Sequence, residues 1–189
     1  MSYRILLVAV MLITLLPGCR SGRATTAGGY HLIGEADVFT LVNLHPDEAR
    51  RLLYSPNYLQ HGLIPLCTKV KILSYGSRQM TFRLVDSGRE YAYLLHNAMR
   101  EPFEKNLDRF FGKSCDKAKI ERMSKEDRDG IAAGRAARGM TKQGVALAIG
   151  DPPEHATPSL EANAWRYWKS RFDTMIVHFE AGKVVRIQD

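Results

Sequence analysis

Ile5 to Leu16 is an apolar run of twelve residues interrupted only by Thr14, and its length constrains the chain more than any other feature. Wound as a helix, it covers about 18 Å, well short of a hydrocarbon core of about 30 Å. A permanent transmembrane span is therefore disfavoured. Ser2-Tyr3-Arg4 places one positive charge ahead of the run, and a small residue, Gly18, follows it. A basic start, a short apolar stretch and a small residue read as a secretion signal over residues 1–18. Whatever folds must then lie downstream.

Leu16-Pro17-Gly18-Cys19 closes the leader. With an aliphatic residue at −3, a small one at −1 and then a cysteine, it resembles the lipobox of bacterial lipoproteins. The resemblance implies that Cys19 is acylated on sulfur and becomes the mature N-terminus. It also implies that Arg20, in place of an aspartate, sends the protein to the outer membrane, facing the periplasm. One acyl chain holds only marginally, so stable anchoring needs the two or three that such a cysteine carries. Residues 19–29 then read as lipidated cysteine plus tether, with three glycines and no apolar periodicity. About ten such residues give a root-mean-square reach of about 16–19 Å.

The 45% hydrophobic and 25% charged content over 189 residues describes one ordinary globular domain or two small ones, not a disordered chain. The formal charge is +7, and Arg4 is the only charge in residues 1–18, leaving +6 on the mature part. The basic residues are scattered, as on a solvated surface. Nucleic acid is not an expected partner of an exported protein, so the charge suits anionic headgroups or an acidic partner.

Residues 30–97 predict a small β-rich domain. Val38–Asn43, Val70–Leu73, Met80–Val85 and Tyr91–Leu94 are β-rich runs, with turns at Tyr75-Gly76-Ser77 and Asp86-Ser87-Gly88. Pro46 to Leu53 reads as one or two helical turns with proline at the first position. The result is a small antiparallel β-domain, an SH3-like barrel or curled sheet. Residues 98–123 predict a charged helical connector whose Phe103, Leu107, Phe110 and Phe111 share a face and pack the two domains together.

Residues 124–189 predict the order α-α-β-β-β. Ser124 caps a helix running to Ala137 or Arg138, and Gly130 and Gly134 leave one face bare for close approach. Thr141 caps a second helix with Met140 and Val145 in hydrophobic-staple positions, a buried stripe of Val145, Ala148 and Ile149, and a stop at Gly150 before Pro152-Pro153. Strands follow at Ala164–Ser170, Met175–Glu180 and Lys183–Ile187, the last two joined by an Ala181-Gly182 hairpin. The set Gly139-Met140-Thr141-Lys142-Gln143, Ile149-Gly150-Asp151-Pro152, Trp165-Arg166-Tyr167, Val177-His178-Phe179 and Gly182-Lys183-Val184 is similar to the SmpA/BamE family of small outer-membrane lipoproteins. That resemblance implies an α+β fold with a BamE-like second domain, and a partner among the envelope proteins.

No Gly-rich phosphate loop, HExxH, paired CxxC or Gly-x-Ser-x-Gly occurs, so no catalytic, metal or cofactor site is expected. The acids beside histidines at His45-Pro46-Asp47-Glu48 and Glu154-His155 read as exposed loop polarity. Cys67 and Cys115 are either a disulfide, in a compartment that oxidises thiols, or two buried thiols. Trp168, flanked by Arg166 and Lys169, is a candidate partner-binding group, because aromatic and arginine side chains favour such surfaces. The expected function is that of a non-enzymatic, membrane-anchored interaction module. A cell-wall or ligand-binding lipoprotein using the β-rich domain is the alternative, and a periplasmic enzyme with an unrecognised site the third reading.

Overall fold

The computed structural model describes residues 30–189 apart from Ala98, Arg100 and Arg171. The leader, Cys19 and the tether lie outside the described residues. The fold is α+β: a curled six-stranded sheet, then helices, then a separate three-stranded antiparallel sheet.

The first sheet contains β1 (Val38–Thr40), β2 (Leu52–Tyr54), β3 (Lys69–Tyr75), β4 (Gln79–Leu84), β5 (Glu90–Leu94) and β6 (Phe111–Gly112), in the order β2-β5-β4-β3-β1-β6. All neighbours are antiparallel except β2 and β5, which run parallel through Leu52–Ala92 and Leu53–Tyr93. The sheet is thus mixed at one edge, where antiparallel pairing throughout was expected. Its register slips between Ile72 and Ser74. That slip turns Leu73 and Ser74 outward together and returns Tyr75 to the core.

Three sequence expectations change here. Pro46–Leu53 is not helical: Asp47 pairs with Leu52 through backbone bonds in both directions, and its Oδ1 accepts the Arg50 amide at 3.0 Å. An aspartate that ties down a turn in this way competes with helix, and Leu52–Tyr54 is freed to become β2. The first strand stops at Thr40 and does not reach Asn43, because the Asn43 amide turns to the Leu147 carbonyl at 2.9 Å. The third concerns the connector. α1 (Phe103–Phe110) is amphipathic as expected, yet Phe103, Leu107, Phe110 and Phe111 are buried with Tyr75, Phe82 and Tyr93 in the first core, not between the lobes. After α1 the chain extends into β6, which completes the first sheet against β1. The short α2 (Lys117–Glu121) follows, capped by Asp116.

In the second lobe, the Ser124 Oγ accepts the Asp127 amide at 3.1 Å to start α3 (Lys125–Ala133). That helix ends four or five residues early, because Gly134 takes a left-handed conformation with φ 62°. The bare glycine face is filled closely: a Cβ on Gly130 would stand 2.2 Å from the Met140 sulfur, and one on Gly134 would stand 2.6 Å from Leu63. The Thr141 Oγ1 accepts the Gly144 amide at 3.0 Å to start α4 (Lys142–Ile149). Asp127 is buried and accepts the Thr141 amide at 2.7 Å, which locks α3 to the beginning of α4. The sheet has β7 (Ala164–Trp168), β8 (Thr174–Glu180) and β9 (Lys183–Gln188) in that order. Its hairpin turns through Ala181 and Gly182, both at positive φ, the two-residue geometry that matches strand twist. Trp165, Tyr167, Val177, Phe179 and Val184 pack on Val145, Ala148 and Ile149.

The lobes are held by polar groups. Asn43 Nδ2 donates to the carbonyls of Ile131 at 2.7 Å and Ala148 at 3.2 Å, and its Oδ1 accepts the Leu66 amide at 2.8 Å. Asn57 Nδ2 donates to the carbonyls of Asn43 at 3.1 Å and Ile149 at 2.9 Å. Both side chains are buried. They use carbonyls at the end of α4 that the helix itself cannot satisfy. Cys67 and Cys115 are joined by a disulfide with Cα atoms 5.4 Å apart, which ties the loop before β3 to the segment after β6.

Two outcomes follow. Asn43→Ala strands buried partners and should lower the unfolding free energy by about 2–4 kcal/mol in urea titrations. A loss below about 1 kcal/mol would mean that water replaces the asparagine. Closing a 48-residue separation constrains the unfolded chain by about 4 kcal/mol, so a Cys67→Ala/Cys115→Ala variant should lose stability on that scale. Mass counting after thiol blocking of unreduced protein should find neither cysteine free.

Candidate functional site

A cleft of about 810 Å³ opens where the two lobes meet. Its first wall is built by the end of β2, the residues after it and the residues after β5. Tyr54, Tyr58 and His96 form an aromatic triangle there, with ring centroids 5.7 to 6.2 Å apart. The Tyr58 hydroxyl is 3.2 Å from His96 Nε2. The opposite wall comes from the second lobe, where the Trp168 indole lies 5.1 Å from the His155 ring at a tilt. The floor is the β2–β3 connection laid along β7: the Leu59 amide donates to the Trp168 carbonyl at 3.1 Å, and the Gln60 side chain donates to the Lys169 carbonyl. A second hollow of about 260 Å³ shares Tyr54, His96 and Asn97 with the cleft and adds Arg78 and Gln79, so the lined surface is continuous.

The electrostatics are muted. Asp47 and Arg50 are the acid and the arginine on the lining, and they neutralise each other, with Arg50 Nε 3.8 Å from Asp47 Oδ2. Burial lowers the pKa of His96, and the nearby His155 lowers it further. His45, at the base of the cleft, is only 6% exposed, and burial lowers its pKa against the opposing effect of the Ala148 carbonyl. The ring Nε2 lies 3.1 Å from that carbonyl, which can only accept, so the neutral imidazole carries its proton on Nε2. His45 is therefore not exposed loop polarity. It is a third buried donor to the end of α4. His155, by contrast, is exposed at the rim.

Arg166 and Trp168 share the outward face of β7, but of the three residues expected to act together Trp168 alone is part of the cleft lining. Trp168 is half-buried and lines the cleft. Arg166 is exposed on the outward face of β7, and its amide is held by Thr157 Oγ1 at 3.0 Å. Lys169 is turned to Asp189 at 2.9 Å and Asp173 at 3.7 Å, so its charge is already paired. Tyr54, Tyr58, His96 and Asn97 were not singled out by the sequence. The only trace of them is a pair of tyrosines four apart and a histidine just beyond a strand.

On the far side of α1, a smaller hollow of about 240 Å³ contains Glu101, Arg109 and Asp151. Glu101 accepts from Asn106 at 2.9 Å and pairs with Arg109. Burial raises the pKa of Asp151, and Arg109 counters it. The ion pair here, Arg109 with Glu101, belongs to the first lobe, and Asp151 of the second lobe feels its charges without a bond to either. Among the described residues, no group of three or more histidine, cysteine, aspartate or glutamate side chains is arranged to hold a metal. No helix among them is long and apolar enough to cross a membrane.

No family model matches the chain, and no curated protein or solved structure matches it.

Because the folded pKa of His45 lies below its unfolded value of about 6.5, the native state takes up fewer protons than the unfolded chain. Its contribution is intact above about pH 6.5 and shrinks as pH falls below that value toward the lowered pKa. Thermal unfolding between pH 7 and 5 should therefore fall more steeply for the natural chain than for His45→Gln. Parallel curves would acquit His45.

Proposed function

We propose that the chain is a lipid-anchored lipoprotein of the bacterial cell envelope that works by binding another envelope component rather than by catalysis. Residues 1–18 are removed, Cys19 carries the acyl chains, and the tether up to residue 29 holds the folded part in the periplasm beside the outer membrane. The observation that carries this reading is the Cys67–Cys115 bridge, because such bridges persist in oxidising compartments and are rare in reducing ones. A short apolar leader ending in Gly18-Cys19 supplies the route to that compartment.

In this reading residues 124–189 are a BamE-like module. Its support is the order α3-α4-β7-β8-β9 together with the Thr141 cap, the Gly150 stop and the aromatic strand. The anchor confines recognition to a thin layer by the membrane and so raises the local concentration of any partner there. A second reading, recognition of a cell-wall component by the β-rich lobe, is favoured by the cleft, most of whose lining comes from that lobe.

Two measurements test the anchor and the partner. Cells given an alkyne palmitate should label the natural chain and leave Cys19→Ala unlabelled. An unlabelled natural chain that retains its leader overturns the proposal. Crosslinked envelopes, solubilised and captured on the mature protein, should yield a defined component. A protein supports the interaction-module reading, and glycan strands support the cell-wall reading.

A further inference from the structure

The cleft at the lobe junction combines features that select among ligand classes. Its walls offer aromatic faces on both sides, Tyr54 and Tyr58 from one lobe and Trp168 from the other. Such faces carry partial negative charge and attract the polarised C–H faces of a ring packed flat against them. Between them stand planar polar side chains, Gln60 and Asn97, which both donate and accept hydrogen bonds. Formal charge is nearly absent, since Asp47 and Arg50 satisfy each other: Oδ1 also accepts the Arg50 amide at 3.0 Å. Along the main cleft a phosphorylated or carboxylate-rich ligand meets only Arg50, already paired with Asp47, and the further arginine, Arg78 in the adjoining hollow, is bonded to the Leu95 carbonyl and Asn97 Oδ1. A purely apolar ligand would strand the polar side chains. The ligand that suits aromatic faces and neutral amides together is a neutral ring compound bearing many hydroxyl or acetamido groups.

Size and shape agree with more than one ring. The volume lies in the range of about 300–1,000 Å³ that encloses small organic ligands. The cleft also runs on, through Tyr54, His96 and Asn97, into the second hollow. A single sugar would leave part of that surface bare, whereas a linked chain would cover it.

We infer that the cleft between the lobes is a carbohydrate-binding site for a neutral oligosaccharide, with Trp168 and Tyr58 as stacking groups and Gln60 and Asn97 as hydrogen-bonding groups. This deepens the envelope-lipoprotein reading and rests on it for the ligand's availability, since envelope glycans lie on that side of the inner membrane. Gln60 already donates to the Lys169 carbonyl, so its side-chain oxygen is what it has left to offer a sugar hydroxyl. Asn97 Oδ1 already accepts from Arg78 at 2.6 Å, so its amide nitrogen is the group offered. The pair thus presents one acceptor and one donor, as a hydroxyl requires.

The test uses the mature lipidated chain in detergent, titrated with the β-1,4-linked tetrasaccharide of N-acetylglucosamine. Saturable binding is expected in the millimolar range or tighter, with a shift in tryptophan emission, because Trp168 lines the cleft while Trp165 is buried. Trp168→Ala should weaken binding roughly three- to tenfold, the scale of one lost aromatic contact. Asn97→Ala, at an exposed position, should weaken it severalfold and covers the case in which the tryptophan variant does not fold. Val85→Ala, in the β4–β5 turn, should bind as the natural chain does, and inorganic phosphate should not compete. No saturable binding by folded protein, unchanged affinity in both cleft variants, or full competition by phosphate overturns the inference. Palmitate labelling of the same preparation keeps the two readings apart. A labelled chain without glycan binding loses only the glycan, whereas glycan binding by an unlabelled chain keeps the site and discards the anchor.

Discussion

The unsatisfied end of α4 organises this molecule. A helix leaves its last four carbonyls without partners, and here the helix ends inside the protein, where water cannot serve them. The Leu147 carbonyl takes the Asn43 amide, Ala148 takes the Asn43 side chain and the His45 ring, and Ile149 takes the Asn57 side chain. The Gly150 carbonyl just beyond takes the Tyr167 hydroxyl at 3.0 Å. Four of these five donors are side chains or amides of the first lobe. One lobe therefore finishes the other's helix, and neither surface would be satisfied alone. Directional bonds of this kind fix orientation more tightly than apolar contact could, since a small rotation breaks several at once.

The cleft inherits its shape from that junction. The loop carrying Asn57 also carries Tyr58, Leu59 and Gln60, so the residues that join the lobes are adjacent in sequence to those that line the opening. Asn57 itself sits at φ 48°, a conformation that asparagine tolerates better than most residues. The aromatic triangle and the indole opposite are consequently held by backbone pinned on both sides, the arrangement that suits recognition without rearrangement.

The second lobe was largely legible in the sequence, because its signals are local. Ser124 and Thr141 cap helices through neighbouring amides, Gly150 ends one, and Ala181-Gly182 turns a hairpin, all within a few residues. What failed was equally physical. Gly134 was read as a bare face and not as a stop, since only the conformation distinguishes the two. Asp47 hides a turn that looks helical by composition. His45 looks like loop polarity, because nothing beside it reveals that a helix end about a hundred residues away needs donors, and Asn57 carries no local sign of that role at all. The cleft could not be read at all. Its two walls lie more than fifty residues apart in sequence, and their approach is a property of the junction. Gly144 illustrates the limit: it stands inside a helix with no local reason, yet a Cβ there would fall 1.9 Å from the Asp127 carboxylate that locks α3 to α4.

The strand order of the first sheet also has a temporal side. β1 is hydrogen-bonded to β3 on one flank and to β6 on the other, and β6 is separated from it by seventy residues of chain. During synthesis, the hairpins β3–β4 and β4–β5 have their partners at hand, whereas β1 must wait with one edge bare until residue 112 arrives. Cys67 waits alongside it, since Cys115 emerges three residues later still. A newly made chain therefore passes through a stage in which an open strand edge and an unmatched thiol coexist. That interval is when it is most exposed to mispairing with its neighbours.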